Sequence, residues 1–163
     1  MSEHYRVPKR EVAASVALFG HPAAAVTIFL SDSAQNHHGA ERPSDLFNGP
    51  GPFIPALDPA KGPVLFHRDS ILAVTVAAEE EFGSNADRAE DLAYEASMSI
   101  EVEIAMQTGD LIHGTLTFIM PEGQRRLQDV VNQSEQFLTL RVENNARLIN
   151  KRRIARISAA KNK

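Results

Sequence analysis

The side chains that could do chemistry here are six histidines, a repeated Arg-x-x-Asp pair and a run of cations near the C-terminus. His4, His21, His37, His38, His67 and His113 include no i, i+4 helical pair of the zinc-hydrolase kind, and none shows the carboxylate neighbour of a catalytic dyad. His37 and His38 share a loop with Asp32 and Glu41, a set that could hold a metal ion. Adjacent histidines point in different directions in extended chain, so a solvated loop is the preferred reading. Cysteine is absent, which excludes thiolate nucleophiles, zinc–thiolate sites, iron–sulfur clusters and disulfides. No Gly-x-x-x-x-Gly-Lys loop or Gly-x-Ser-x-Gly elbow occurs. Gly49-Pro-Gly-Pro52 is a rigid turn whose prolines lack the N–H donors of a phosphate cradle. No catalytic residue, cofactor or metal is therefore expected, and the chain reads as non-enzymatic.

The Arg-x-x-Asp pairs, Arg42 with Asp45 and Arg126 with Asp129, have the i, i+3 spacing that brings both side chains to one helix face. Their structural reading is that the acid and a following Asn, Asn48 or Asn132, start and stop a short helix, with the Asn in the left-handed conformation of a helix C′ position. Their functional reading is a pair of forked donors for an anion. Residues 124–163 carry ten cations against three acids, including Arg125, Arg126, Lys151, Arg152 and Arg153. Together with Asn150 these are the candidate anion- or partner-binding residues, since such a cluster could contact phosphates. The aromatic half of a single-strand-binding signature is weak, with two Tyr and no Trp.

These residues recur in two halves of the chain. Arg42-Pro-Ser-Asp45-Leu-Phe-Asn48 matches Arg126-Leu-Gln-Asp129-Val-Val-Asn132, and five residues beyond each Asn a Phe, Phe53 or Phe137, opens an apolar run. Val64 to Ile71 then matches Arg147 to Ile154, one loop being a residue shorter. Around these blocks, Val102, Ile104 and Met106 alternate with polar residues, Gly109-Asp110 makes a turn, and Leu111 to Met120 returns as the second arm of a hairpin. Leu127, Val130 and Val131 give a short helical stripe. Phe137 to Val142 and Ala146 to Ile157 are strands, the last bending near Asn150 to Arg152. Ala24 to Leu30 is the first-half counterpart of Gly114 to Met120, and Phe53 to Leu57 that of Phe137 to Leu140.

The predicted fold is mainly β with short helices: two tandem small bent-sheet or β-barrel domains of β-β-α-β-β type, from internal duplication. The first copy covers 1–76 with an inserted loop at 31–41, and the second covers 98–158, followed by a basic tail at 159–163. Between them, 77–97 is an acidic linker; Ser84-x-x-Asp87 with Ala89, Leu92, Ala93 and Ala96 predicts a short helix, and a disordered tether is the alternative. At 163 residues and 43% apolar content the chain can bury a real core. No apolar run reaches the roughly 20 residues of a bilayer span, and Met1 to Arg10 is not signal-like, so a cytoplasmic protein with no membrane partner is expected. A net charge of −4 argues against a general nucleic-acid coat.

The second half resembles the Sm-like small barrels. Gly-Asp-Leu-Ile-His-Gly-Thr-Leu at 109–116 looks like their bent, Gly-containing strand, Phe137-Leu-Thr-Leu140 like the next strand, and Leu-Ile-Asn-Lys-Arg-Arg-Ile at 148–154 like the strand junction that contacts RNA. The resemblance implies RNA binding on a ring of subunits, with Asn150, Lys151 and Arg152 as contacts. The chain departs from that family in the helix at Arg125 to Val131 and in lacking an obvious N-terminal helix, unless Asp87 to Ala96 takes that place. The motif Arg-Leu-x-Asp-x-x-Asn followed by Asn-Lys-Arg-x-Ile is also similar to small uncharacterised bacterial domains, which imply no activity. The expected function is an interaction, regulatory or scaffold module that self-associates or binds a protein partner. The alternative is Sm-like RNA binding through the basic second copy.

Overall fold

A computed structural model describes residues 9–32, 39–83, 98–118 and 126–160. The described residues are mainly β: ten antiparallel strands in one sheet, with three short α-helices. The first half runs β1 (Lys9–Leu18), β2 (Ala24–Ser31), α1 (Pro43–Phe47), β3 (Phe53–Asp58), β4 (Gly62–His67), a 3-10 turn (Arg68–Ser70) and β5 (Ile71–Ala77), followed by α2 (Ala78–Phe82). The second runs β6 (Met98–Met106), β7 (Leu111–Phe118), α3 (Leu127–Val131), β8 (Phe137–Val142), β9 (Asn145–Asn150), a 3-10 turn (Lys151–Arg153) and β10 (Ile154–Ala159). The final strand predicted from Ala146 is thus split by a turn where the apolar period breaks. The expected helix at 84–97 lies outside the described residues. The start of the acidic stretch, by contrast, is α2, which follows β5 directly. No helix among the described residues is long and apolar enough to cross a membrane.

The sheet order is β10-β6-β7-β8-β9-β5-β1-β2-β3-β4. Each half therefore contributes five strands in one order, the last strand beside the first, and the two sets join where β9 pairs β5. Even the irregularities coincide. The β1·β5 register slips between Ala17 and Leu18 opposite Ala73 and Ile71, and the β6·β10 register slips so that Met106 faces Ile154 and Ala105 faces Arg156. Such a bulge bends a strand and sharpens its twist. The two predicted sheets are therefore one continuous sheet.

Alternation decides which faces are buried. In β1, Val12, Ala14 and Val16 face inward between exposed Glu11, Ala13 and Ser15, and in β7 Ile112, Leu116 and Phe118 are buried. Two hydrophobic clusters result, and neither belongs to one half alone. The first contains Ile28, Leu30, Phe47 and Val74 together with Phe137, Ala146 and Leu148 from the second half; the second contains Ile104, Leu140 and Ile149 together with Ala73 from the first. Each fully buried Leu, Ile or Phe contributes about 1.5–3 kcal/mol, so the shared side chains make the halves interdependent.

The close approach of β8 to β7 depends on Gly114. A Cβ there would lie 2.9 Å from Val142 Cγ2, 3.0 Å from the Arg141 carbonyl oxygen and 3.2 Å from Leu140 Cβ, so β8 passes where a side chain would stand. Gly114→Ala should destabilise the fold by about 1–3 kcal/mol, read as a lower urea midpoint with unchanged slope. A midpoint equal to wild type would show that β8 can move aside.

Candidate functional site

Of the residues singled out by the sequence, Asn48, Asn150, Arg152 and Arg153 meet at the seam between the halves. The ladder pairs Ala73 with Ile149, Val74 with Leu148, Thr75 with Arg147, Val76 with Ala146 and Ala77 with Asn145. Asn150 closes one end of it. Its side chain is fully buried; Nδ2 donates to the Ile71 carbonyl at 2.9 Å and the Arg68 carbonyl at 3.4 Å, and Oδ1 accepts from Arg152 N–H at 3.0 Å and Gln136 Nε2 at 3.3 Å. A buried amide with all its hydrogen bonds made holds two backbones in one register, because each lost partner would leave a desolvated group behind. Asn150 is thus a structural bridge with no edge turned to solvent.

Beside it, Asp69 collects contacts from the second half. Gln136 Nε2 donates to its carboxylate at 2.8 Å, Arg152 Nη1 at 2.7 Å, and Arg153 Nε donates to its carbonyl at 2.9 Å. The Gln136 hydrogen bond, with Arg152, holds the Asp69 carboxyl below its ordinary range against partial desolvation. Arg153 also lies over the Phe19 ring, 4.9 Å from its centroid. Lys151 turns inward, Nζ donating to the carbonyls of Val131 at 3.0 Å and Gln133 at 2.6 Å at the end of α3, and burial lowers its pKa. Arg68 does the same for α1 through hydrogen bonds to the carbonyls of Phe47 and Gly51. The predicted cationic cluster is thus largely committed to its own protein. Arg152 stays two-thirds exposed and Arg126 more so. Arg125, His37 and His38 lie outside the described residues.

The Arg-x-x-Asp motif that occurs in both halves forms as expected at one end and differs at the other. Arg42 N–H donates to Asp45 Oδ2 at 2.8 Å and Arg126 N–H to Asp129 Oδ2 at 3.2 Å, with an Arg126–Asp129 ion pair at 3.3 Å, so each acid starts its helix. The two Asn residues do not take the left-handed conformation: φ is −94° at Asn48 and −86° at Asn132. Asn48 has another use. Its side chain accepts from Phe137 N–H at 2.8 Å and donates to the Phe137 carbonyl at 3.4 Å, pinning the end of α1 to the start of β8 across the seam. Asn132 occupies the same place on α3 and is exposed.

The same contrast runs through the apolar residues. Phe137 is 2% exposed, edge-to-face with Phe47 at 5.7 Å, and Leu148 is fully buried. Their counterparts by register, Phe53 and Leu65 on β3 and β4, are 53% and 67% exposed. Asp69, Gln136, Phe53 and Leu65 went unremarked as site residues in the sequence; only the Phe53/Phe137 alignment hinted at them. A cleft of about 500 Å³ lies between α1 and the second half, lined by Asp45, Asn48, Thr117, Glu135, Phe137 and Lys151 among others. Among the described residues no group of three or more His, Asp or Glu could hold a metal ion. Comparison of the chain with protein-family models, with curated proteins and with solved structures found no match.

The seam also includes a buried acid. Glu81 on α2 is 5% exposed and accepts from Ser44 N–H at 3.0 Å, tying α2 to α1. Burial pushes its carboxyl above its ordinary value of 4.5, against the Ser44 hydrogen bond. Folding thus favours the protonated form, so this stabilisation is complete below the ordinary value and is lost as pH rises through the raised one. Glu81→Gln, which keeps the acceptor, should flatten the decline in urea midpoint above pH 4.5; a slope identical to wild type would place the titration elsewhere. In dilute solution Asn48→Ala should cost about 1–2 kcal/mol and Asn132→Ala less than about 0.5. Equal effects in denaturant titrations would mean that the Phe137 contacts do not hold the seam.

Proposed function

We propose that the chain is a non-enzymatic, self-associating interaction or scaffold module built from a duplicated, strongly bent five-strand unit. The observation that carries this reading is the exposure of Phe53 and Leu65, side by side on the β3·β4 edge, where the other half buries Phe137 and Leu148. Exposed large apolar side chains at an open sheet edge mark a surface that gains by being covered. The matching strand order, the shared bulge, the two Asp-started helices and the Arg68 and Lys151 carbonyl clamps support duplication. A reducing compartment such as the cytoplasm suits a chain without cysteine.

The alternative, RNA contact of the Sm-like kind through Asn150 to Arg153 with Arg125 and Arg126, draws on the same basic segment. It is the lesser reading because Asn150 and Lys151 spend their polar atoms inside the protein and Arg152 on Asp69.

Light scattering should show a mass that rises with protein concentration, and Leu65→Asp should weaken the association at least ~10-fold. A monomer at every concentration would overturn the self-association. Labelled RNA at low ionic strength should show no salt-sensitive shift; a shift abolished by changing Lys151, Arg152 and Arg153 to Ala would favour the RNA reading instead.

A further inference from the structure

The seam inside the chain contains the instructions for a second one. Superposing the halves by register sets β4 on β9 and β10 on β5, yet only β9 and β5 meet within the chain. The strands β4 and β10 are the two ends of the sheet. One therefore has the acceptor surface of the seam and the other its donor surface. Resting on the self-association reading above, we infer that copies of this chain add head to tail, β10 of one pairing antiparallel with β4 of the next, so that the internal seam is repeated between chains.

The apolar pair at the two ends fits this repetition, whereas Arg156, exposed beside Glu103, stands where the seam buries Ala73. In the seam, Val74 faces Leu148; the repeated register sets Ile157 opposite Leu65 of the next copy, Arg156 opposite Phe66 and Ser158 opposite Val64. Val74 is fully buried, whereas Ile157 is only half-buried, as expected of a donor surface not yet covered. Pro63 stands where β9 has Ala146, near the end of the ladder, so at most one backbone donor is missing.

The polar contacts transfer as well. Asn48 bonds the Phe137 backbone, so the exposed Asn132 is set to bond the backbone of Phe53 in the next copy. Asn150 accepts from Arg152 N–H and donates across the seam; its counterpart His67 accepts from Asp69 N–H through Nδ1 at 3.2 Å. With Nδ1 accepting, Nε2 is the ring nitrogen left to donate, in the place of Asn150 Nδ2. Charge agrees with this arrangement. The second position of each 3-10 turn is Asp69 in the first half and Arg152 in the second, and these meet in the seam. Exchanging the halves' roles sets Arg152 of one copy against Asp69 of the next, again opposite charges. A contact of this heterologous kind propagates into a closed ring or an open filament.

The test uses the full chain and two variants, each with one end altered. Leu65→Asp leaves β10 intact, and Ile157→Lys leaves β4 intact. Wild type should form multimers, each variant alone should be monomeric in sedimentation velocity, and an equal mixture should form a discrete dimer, since only one productive contact remains. Because Ile157 also packs in its own half, Asn132→Arg serves as a second variant of the β10 end, with folding checked by urea titration. A wild type that associates while the Ile157→Lys and Asn132→Arg variants associate just as tightly would overturn the head-to-tail geometry but leave the scaffold reading standing. A mixture that stays monomeric would do the same. A wild type that never associates would remove both.

Discussion

An antiparallel five-strand unit ends in two edges, and two such units in one chain have four. The β9·β5 ladder removes two of them by pairing the fourth strand of one unit with the fifth of the other. Almost everything specific to this protein follows from that pairing. It makes one sheet out of two, and it draws Phe137, Ala146 and Leu148 into the first half's core while Ala73 enters the second's. It also leaves an unlike pair of edges at the ends, because the two surfaces of the seam are different.

Apolar contact alone would allow such a ladder to slip. Moving one strand by a residue exchanges its two faces, and the buried set would then face water. Here the register is also fixed by polar groups that find partners in one alignment only. Asn150 needs the Ile71 carbonyl on one side and Arg152 N–H on the other; Asn48 needs both backbone groups of Phe137. These bonds add modest net stability, yet a slipped alignment would leave several of them buried and unmade, each costing about 1–3 kcal/mol.

Much of the fold was legible in the sequence because it resides in local pattern. Period-two alternation marked β6 and β7, and β8 fell on Phe137 to Val142 as expected. The matched Arg-x-x-Asp blocks pointed to the likeness of the halves. What was not legible depends on contacts between distant residues. The use of Asn48 was not legible because Asn suits both a left-handed helix end and a side-chain bridge, and the Phe137 that it bridges to lies 89 residues away. The cations at 151–153 looked free for phosphates because Asp69 lies 83 residues from Arg152 in sequence. Strand β1 was missed since Ala13, Ala14, Ser15 and Ala17 blur its alternation.

The charge asymmetry between the halves also gains a narrower meaning. Residues 124–163 are strongly basic and the remainder acidic, which suggests a long-range attraction between unlike ends. At physiological ionic strength, exposed charges more than about 8 Å apart are largely screened, so the bulk of that asymmetry does little for affinity. Only charges in near contact act strongly, and the 2.7 Å Arg152–Asp69 pair is of that kind. Being exposed, it adds little to stability, less than burial of one Leu. Its effect is instead discrimination: it favours unlike turns side by side and opposes like ones, while Phe137 and Leu148 supply the driving force. A division between apolar affinity and electrostatic orientation is what one expects of a ladder that must close in one register only.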